Sequence, residues 1–168
     1  MLETLRLHFS PLDSSHLEKL LPIYNDALTM KYIPNNPSSW TEVELRQKFC
    51  NNFKDIQNGI GVFAVTEKTT GFFIGQAGIY NSFDDFKELE IGYILSSNYW
   101  HQGYGTEIAK GLIHHCFTNL KAHKVITRMY STHLSSIRIS EKSGMNFVEK
   151  TALDDSLYRS TYSILNLK

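Results

Sequence analysis

Between residues 90 and 107 the chain reads Glu90-Ile-Gly-Tyr-Ile-Leu95, then Ser-Ser-Asn-Tyr-Trp100, then His-Gln-Gly-Tyr-Gly105-Thr-Glu107. A strand runs into a turn with two glycines, and the turn opens a helix. The first N–H groups of a helix have no partner inside it, and the helix dipole makes that end attractive to anions. Gly103 and Gly105 carry no Cβ, so a phosphate can approach the backbone closely. The segment therefore has the make-up of an anion cradle. It is not a Walker A loop, because no Gly-Lys-Ser/Thr follows at the required spacing. It is not a dinucleotide fingerprint either, because Ile108 stands where the third glycine belongs. Taken alone, the two glycines serve equally well in a tight strand-to-helix turn with no ligand. On the strand itself, alternation puts Glu88, Glu90, Gly92 and Ile94 on one face. Alternation does not say which face lines a cleft.

Other chemistries find little support. The seven histidines form no HExxH pattern, and the adjacent His114 and His115 point in different directions on a helix, so no metal site is expected. Cys50 and Cys116 lie far apart, in no ligand-like spacing, and read as two reduced thiols of a cytoplasmic protein. Lys plus Arg equals Asp plus Glu, 17 each, which argues against a nucleic-acid partner. There is no signal peptide pattern and no apolar stretch long enough to span a membrane. The 168 residues fit a single domain, 1–168, able to bury a core without disulfides or metals.

The elements that must position the cradle follow from periodicity. Thr4 to Phe9 reads as a strand. Asp13, Ser14 and Ser15 offer N-caps, and Ser15 with Glu18 fits a capping box, followed by Leu17, Leu20, Leu21, Tyr24 and Leu28 at helical spacing. Thr41 with Glu44 is a second box, and Leu45, Phe49, Phe53 and Ile56 form the next apolar stripe, closed at Asn58-Gly59. Val62 to Thr66 and Phe72 to Tyr80 read as a hairpin turning at Thr69-Thr70-Gly71. After a loop carrying Phe83, Asp84, Asp85 and Phe86, Leu89 to Leu95 is the strand that enters the cradle. Thr106 to Leu120 is a helix with Ile108, Leu112, Ile113 and Phe117 facing inward. Lys124 to Tyr130 is apolar on both faces, as a central strand should be. Ser135 to Ser143 is a short helix with Gly144 as its C′ residue. Phe147-Val148 and Thr161 to Leu167 supply the last strands. The result is an α/β (α+β) chain built on a mixed sheet, with helices covering its faces.

Trp100-His-Gln-Gly103-Tyr-Gly105 resembles the pyrophosphate loop of the GNAT N-acetyltransferases, Arg/Gln-x-x-Gly-x-Gly/Ala, at both small positions. Trp in the leading place is common in the RimJ/RimL-like branch. The Glu-Ile-Gly-Tyr strand, the Asn-Tyr-Trp turn, Thr106-Glu107 and Ser140-Glu-Lys-Ser-Gly144-Met-Asn-Phe147 also resemble that branch. So do the opening Glu3-Thr-Leu-Arg-Leu7 and the closing Tyr162-Ser-Ile-Leu, so the likeness spans nearly the whole chain in order. It implies the GNAT fold, a mostly antiparallel central sheet of about seven strands with helices on both faces. It also implies acetyl-CoA as cosubstrate, with no metal.

Carried over residue by residue, the resemblance implies that the strand before the loop bulges and splays from its neighbour. The pantetheine arm then bonds to the backbone at Ile94 and Leu95, and the pyrophosphate takes N–H groups from Gln102, Gly103, Tyr104, Gly105 and Thr106. Glu90 matches the glutamate that serves as base or amine-binding carboxylate, with Glu88 as the substitute. Relatives carry Asn-x-x-Ser at the start of the late helix. Here the residues are His133-Leu-Ser-Ser136, so Ser136 is the candidate acid and His133 replaces the CoA-contacting Asn. His can still donate a hydrogen bond, but it is bulkier and a poorer cap. The acceptor would meet the variable parts, with Tyr32, Trp40, Asp84 and Asp85 as substrate-binding candidates. A cleft of aromatics and carboxylates suits a cationic amine. The first expectation is acetyl transfer to a protein N-terminal α-amine. The alternatives are a small-molecule amine (polyamine, antibiotic) or a CoA-binding module with little catalysis. The chain is expected to act as a monomer or homodimer.

Overall fold

The computed structural model describes residues 2–34, 36–50, 59–83 and 87–167. In chain order it contains β1 (Leu2–Glu3), β2 (Leu7–Pro11), α1 (Leu17–Tyr24), α2 (Ala27–Met30), α3 (Glu42–Phe49), β3 (Gly61–Glu67) and β4 (Phe73–Tyr80). Then come β5 (Glu88–Leu95), α4 (Tyr104–Thr118), β6 (Lys124–Tyr130), α5 (Leu134–Lys142), β7 (Asn146–Ala152) and β8 (Tyr158–Leu165). The eight strands form one sheet in the order β1-β2-β3-β4-β5-β6-β8-β7, mixed and mostly antiparallel, with β5 and β6 parallel. The strand beyond the expected seven is the two-residue β1. Thr4 to Phe9 is not one strand, because Thr4 turns the chain. Its N–H donates to the Leu7 carbonyl at 2.9 Å, and its hydroxyl accepts the Leu7 N–H at 3.2 Å.

The chain divides into two compact units, Met1–Gly78 with Tyr93–Tyr104, and Ile79–Gly92 with Gly105–Lys168. The first unit pairs β2 with β3 antiparallel and packs α1 and α3 over a core of Leu12, Leu17, Leu20, Tyr24, Leu45, Phe49 and Val62. The Thr41–Glu44 capping box forms as expected. The other cap falls two residues early. Asp13, not Ser15, caps a short 3-10 turn ahead of α1 and accepts the Ser15 N–H at 2.8 Å and its hydroxyl at 2.6 Å. Leu28 is not on the α1 stripe. The helix ends at Tyr24, Asp26 caps α2, and Leu28 is 65% exposed. The stripe positions Phe53 and Ile56 and the closing Asn58 lie outside the described residues.

In the second unit β6 has the expected limits and pairs with β8 along its length, from Lys124 to Tyr130. Its parallel ladder with β5 covers three residues, Glu88–Glu90 against Lys124–Ile126. The α4 helix starts two residues earlier than the periodicity predicts, at Tyr104, and buries Ile108, Leu112, Ile113 and Cys116. Burial pushes the Cys116 thiol up to about 12, so it stays protonated at neutral pH. Gly144 takes φ +88 just past α5 and closes it as a C′ glycine.

Candidate active site

The turn into α4 is shaped by two left-handed residues. His101 has φ +61 and Gly103 has φ +84, while Gln102 between them does not have positive φ. Alternation of this kind aims successive N–H groups into one concavity, an anion nest. Because α4 begins at Tyr104, the N–H groups of Tyr104, Gly105 and Thr106 belong to the first helical turn, where no intrahelical acceptor exists. His101, Gln102 and Gly103 are all exposed. The turn is tied down from its own residues. The Trp100 indole N–H donates to the Leu95 carbonyl at 2.8 Å, and the Gln102 amide donates to the Asn98 carbonyl at 3.0 Å. The Trp that stands in the leading place of the loop thus anchors the turn to the end of β5.

Upstream, Gly75 on β4 lies hard against that same end of β5. A Cβ at Gly75 would sit 2.2 Å from the Ile94 carbonyl oxygen and 3.0 Å from the Leu95 Cα, both backbone atoms. Ser96 N–H bonds the Ile74 carbonyl at 2.9 Å beside it. Only glycine permits this approach, and it fixes the backbone of Ile94 and Leu95. Gly75→Ala is therefore expected to lower Tm by roughly 4–12 °C, the effect of overpacking by about 2–3 kcal/mol in a chain of this size. Gly71→Ala is the control, since nothing lies within 4 Å of its Cβ position although its φ is +73. Differential scanning calorimetry in which the two variants melt alike would remove the close approach as a constraint.

In the second unit the expected carboxylates are both paired. Glu88 meets Lys124 at 3.0 Å. Glu90 accepts from Arg128 twice, from Nε at 2.9 Å and from Nη2, and from the Ser82 hydroxyl at 2.8 Å. Side-chain exposure is 17% for Glu90 and 30% for Arg128, so the pair is half-buried. The Glu90 carboxylate bonded to Arg128 raises the guanidinium pKa further, so Arg128 stays charged. Tyr80 joins this group. Although 37% of the residue is exposed, desolvation of its phenol and then the Glu90 charge push it up to about 12, so it stays neutral at pH 7. Arg128 and Tyr80 were not anticipated from the sequence.

Ser136 lies in the first turn of α5, half-buried, with its carbonyl accepting the Ser140 hydroxyl at 3.0 Å. His133 occupies the N-cap of α5 but makes no side-chain cap bond. Burial holds its imidazole below the usual histidine range, so the ring is neutral at pH 7. Of the substrate-binding candidates, Trp40 packs edge-on against Tyr24, with ring centroids 5.5 Å apart, and bonds Asn36 at 2.7 Å. Tyr32 is half-buried under Lys31. Tyr24, Asn25, Met30, Ile33 and Asn36 line a cavity of about 400 Å³ in the first unit. Asp84 and Asp85 lie outside the described residues. Among the described residues no cluster of His, Cys, Asp or Glu could hold a metal ion, and no helix is long and apolar enough to cross a membrane.

The fold is thus a mixed sheet in which β5 runs through a glycine turn into the start of α4, with a constrained strand end ahead of the turn. Residues 6–146 match the acetyltransferase (GNAT) domain family, and the chain belongs to that family. It is 30% identical over 90 residues to the uncharacterized protein YkkB of Bacillus subtilis (strain 168), a match covering 53% of this chain and about half, 52%, of that protein. Its fold is shared with a GNAT-family acetyltransferase from Bacillus anthracis, at TM-score 0.86 and 23% identity over 98% of this chain and 97% of that one. A spermidine N-acetyltransferase from Vibrio cholerae, solved with CoA and spermine, superposes at TM-score 0.82 with 16% identity over 95% of each chain. RimL, a ribosomal L7/L12 alpha-N-protein acetyltransferase solved with CoA, superposes at 0.85 with 15% identity over 96% of this chain and 95% of its own.

Proposed function

We propose that the protein transfers the acetyl group of acetyl-CoA to a primary amine by direct attack, as a RimJ/RimL-like member whose acceptor is a protein N-terminal α-amine. The observation that carries the transferase reading is the turn at His101–Gly103, left-handed at both ends and opening directly onto the unpaired N–H groups of α4. Those groups from Gln102 to Thr106 would take the pyrophosphate, and the backbone of Ile94 and Leu95 would take the pantetheine arm. His133 would add a hydrogen bond to CoA through its neutral ring. In the reaction the amine nitrogen forms a bond to the thioester carbonyl carbon and the C–S bond breaks. The sulfur leaves as a thiolate that takes a proton from Ser136 while that hydroxyl takes one from water, and the ammonium proton passes to Glu90, directly or through water, and on to solvent.

The choice of acceptor rests on charge. Of the two comparison enzymes with a stated substrate, one acts on a ribosomal protein's α-amine and the other on spermidine. A polyamine brings several positive charges that need carboxylates to receive them. Among the described residues, Glu88 and Glu90 are each matched by a cation, Lys124 and Arg128. An α-amine carries one charge and, with a pKa of about 8 against about 10.4 for an alkylamine, reaches the neutral nucleophile more readily. A panel of N-terminal peptides, polyamines and aminoglycosides, read by release of free CoA, tests this. Turnover with one or more peptides above every small amine is expected. Turnover with amines and no peptide would reassign the acceptor. Acetyl-CoA binding with no turnover on any amine would leave a CoA-binding module.

A further inference from the structure

Arg6, in the opening Glu3–Leu7 segment, reaches the glycine turn from 96 positions away in sequence. Its Nη1 donates to the Gln102 carbonyl at 3.1 Å. Its guanidinium carbon lies 4.1 Å from the centroid of the Tyr104 ring, which is only 9% exposed and packs edge-on against Tyr99. The base of Arg6 is fixed as well. Its carbonyl accepts the Lys68 N–H at 2.8 Å, and the next residue, Leu7, is fully buried. The guanidinium is therefore a rigid shelf under the turn. A Cβ at Gly103 would stand 3.5 Å from Arg6 Nη2, an ordinary contact distance, so the guanidinium lies directly beside the turn.

In a trans peptide the C=O of one residue and the N–H of the next point in opposite directions. With the Gln102 carbonyl drawn to Arg6, the Gly103 N–H must face away from it. We propose that Arg6 is a positioning residue for the pyrophosphate turn, fixing the Gln102–Gly103 peptide so that the Gly103 N–H is presented to the diphosphate. This rests on the CoA-binding reading above. The task suits arginine. A planar guanidinium can bond a carbonyl in its plane while its face lies on an aromatic ring, and an ammonium cannot do both. Arg6 thereby acts on binding of the phosphates and leaves the acetyl-transfer step alone.

The test compares wild type, Arg6→Gln and Arg6→Lys, as full chains, for binding of CoA, 3′-dephospho-CoA and pantetheine, with kcat at saturating acetyl-CoA. Arg6→Gln should weaken CoA and dephospho-CoA equally, by about 10–100-fold. Pantetheine, which has no phosphates, should bind within about twofold of wild type, kcat should hold, and Arg6→Lys should restore only part of the loss. Equal weakening of pantetheine would mean a general structural role and would overturn the assignment. A loss confined to CoA, with dephospho-CoA unaffected, would make Arg6 a contact for the 3′-phosphate instead. Unchanged CoA binding in both variants would also sink it. Wild-type protein indifferent to CoA overturns the reading on which the assignment rests, and with it the assignment.

Discussion

Gly103→Val is expected to weaken acetyl-CoA binding by about 10²–10⁴-fold in a protein that still folds. At φ +84 a β-branched residue is strained, so the turn will leave the left-handed region rather than hold it. The N–H groups proposed to converge on the pyrophosphate would then diverge. Each hydrogen bond to a charged group contributes about 1.5–3 kcal/mol, and losing two gives the expected range. The fold should survive because the substitution is exposed and meets no backbone, its nearest neighbour being the tip of Arg6 at 3.5 Å. Isothermal titration with acetyl-CoA, beside a thermal melt, reads both quantities. Wild-type affinity in the variant would mean that the turn is not where the phosphates bind.

Glu90→Gln should lower kcat/KM by about 10²–10⁴-fold, the usual contribution of a positioned acid or base, with acetyl-CoA affinity unchanged. Glutamine keeps the shape and can accept one of the two Arg128 bonds through its amide oxygen, so the exchange removes the charge and one hydrogen bond while keeping the side chain's size. The carboxylate in place is held by Arg128 and Ser82, and taking a proton requires one oxygen to exchange its partner for the amine or a water. The deficit should therefore be largest at low pH, where the amine is protonated and needs a base. It should shrink as pH rises through the amine's own pKa. Full turnover with an unchanged pH profile in Glu90→Gln would place the base on another residue.

The local features of this chain were legible from its sequence, and the long-range ones were not. The β6 limits, the α4 stripe at Ile108, Leu112 and Ile113, the Thr41–Glu44 box and the Gly144 terminator all follow from periodicity or from the chemistry of a few neighbouring residues. Periodicity starts α4 two residues late because Gly105 reads as part of the turn, whereas it sits inside the first helical turn. Of the three N-caps the sequence offers, Asp13 is the one used rather than the Ser15 of the box pattern, because its carboxylate is the stronger acceptor. Arg6 on Gln102 and Arg128 on Glu90 join residues 96 and 38 positions apart, and no periodicity carries that information. Gly75 left one signal, a glycine inside a strand, which often marks a close backbone approach.

The most direct test of the central claim is a thermal-shift titration of the wild-type chain with acetyl-CoA. At a hundredfold excess over the dissociation constant, binding adds about 2.7 kcal/mol to stability, which for a chain of this size raises Tm by roughly 5–10 °C. A saturable rise of that order, reproduced by free CoA, is the expected result. No shift at millimolar acetyl-CoA would contradict the assignment of the His101–Thr106 turn as a CoA site and, with it, the proposed acetyl transfer.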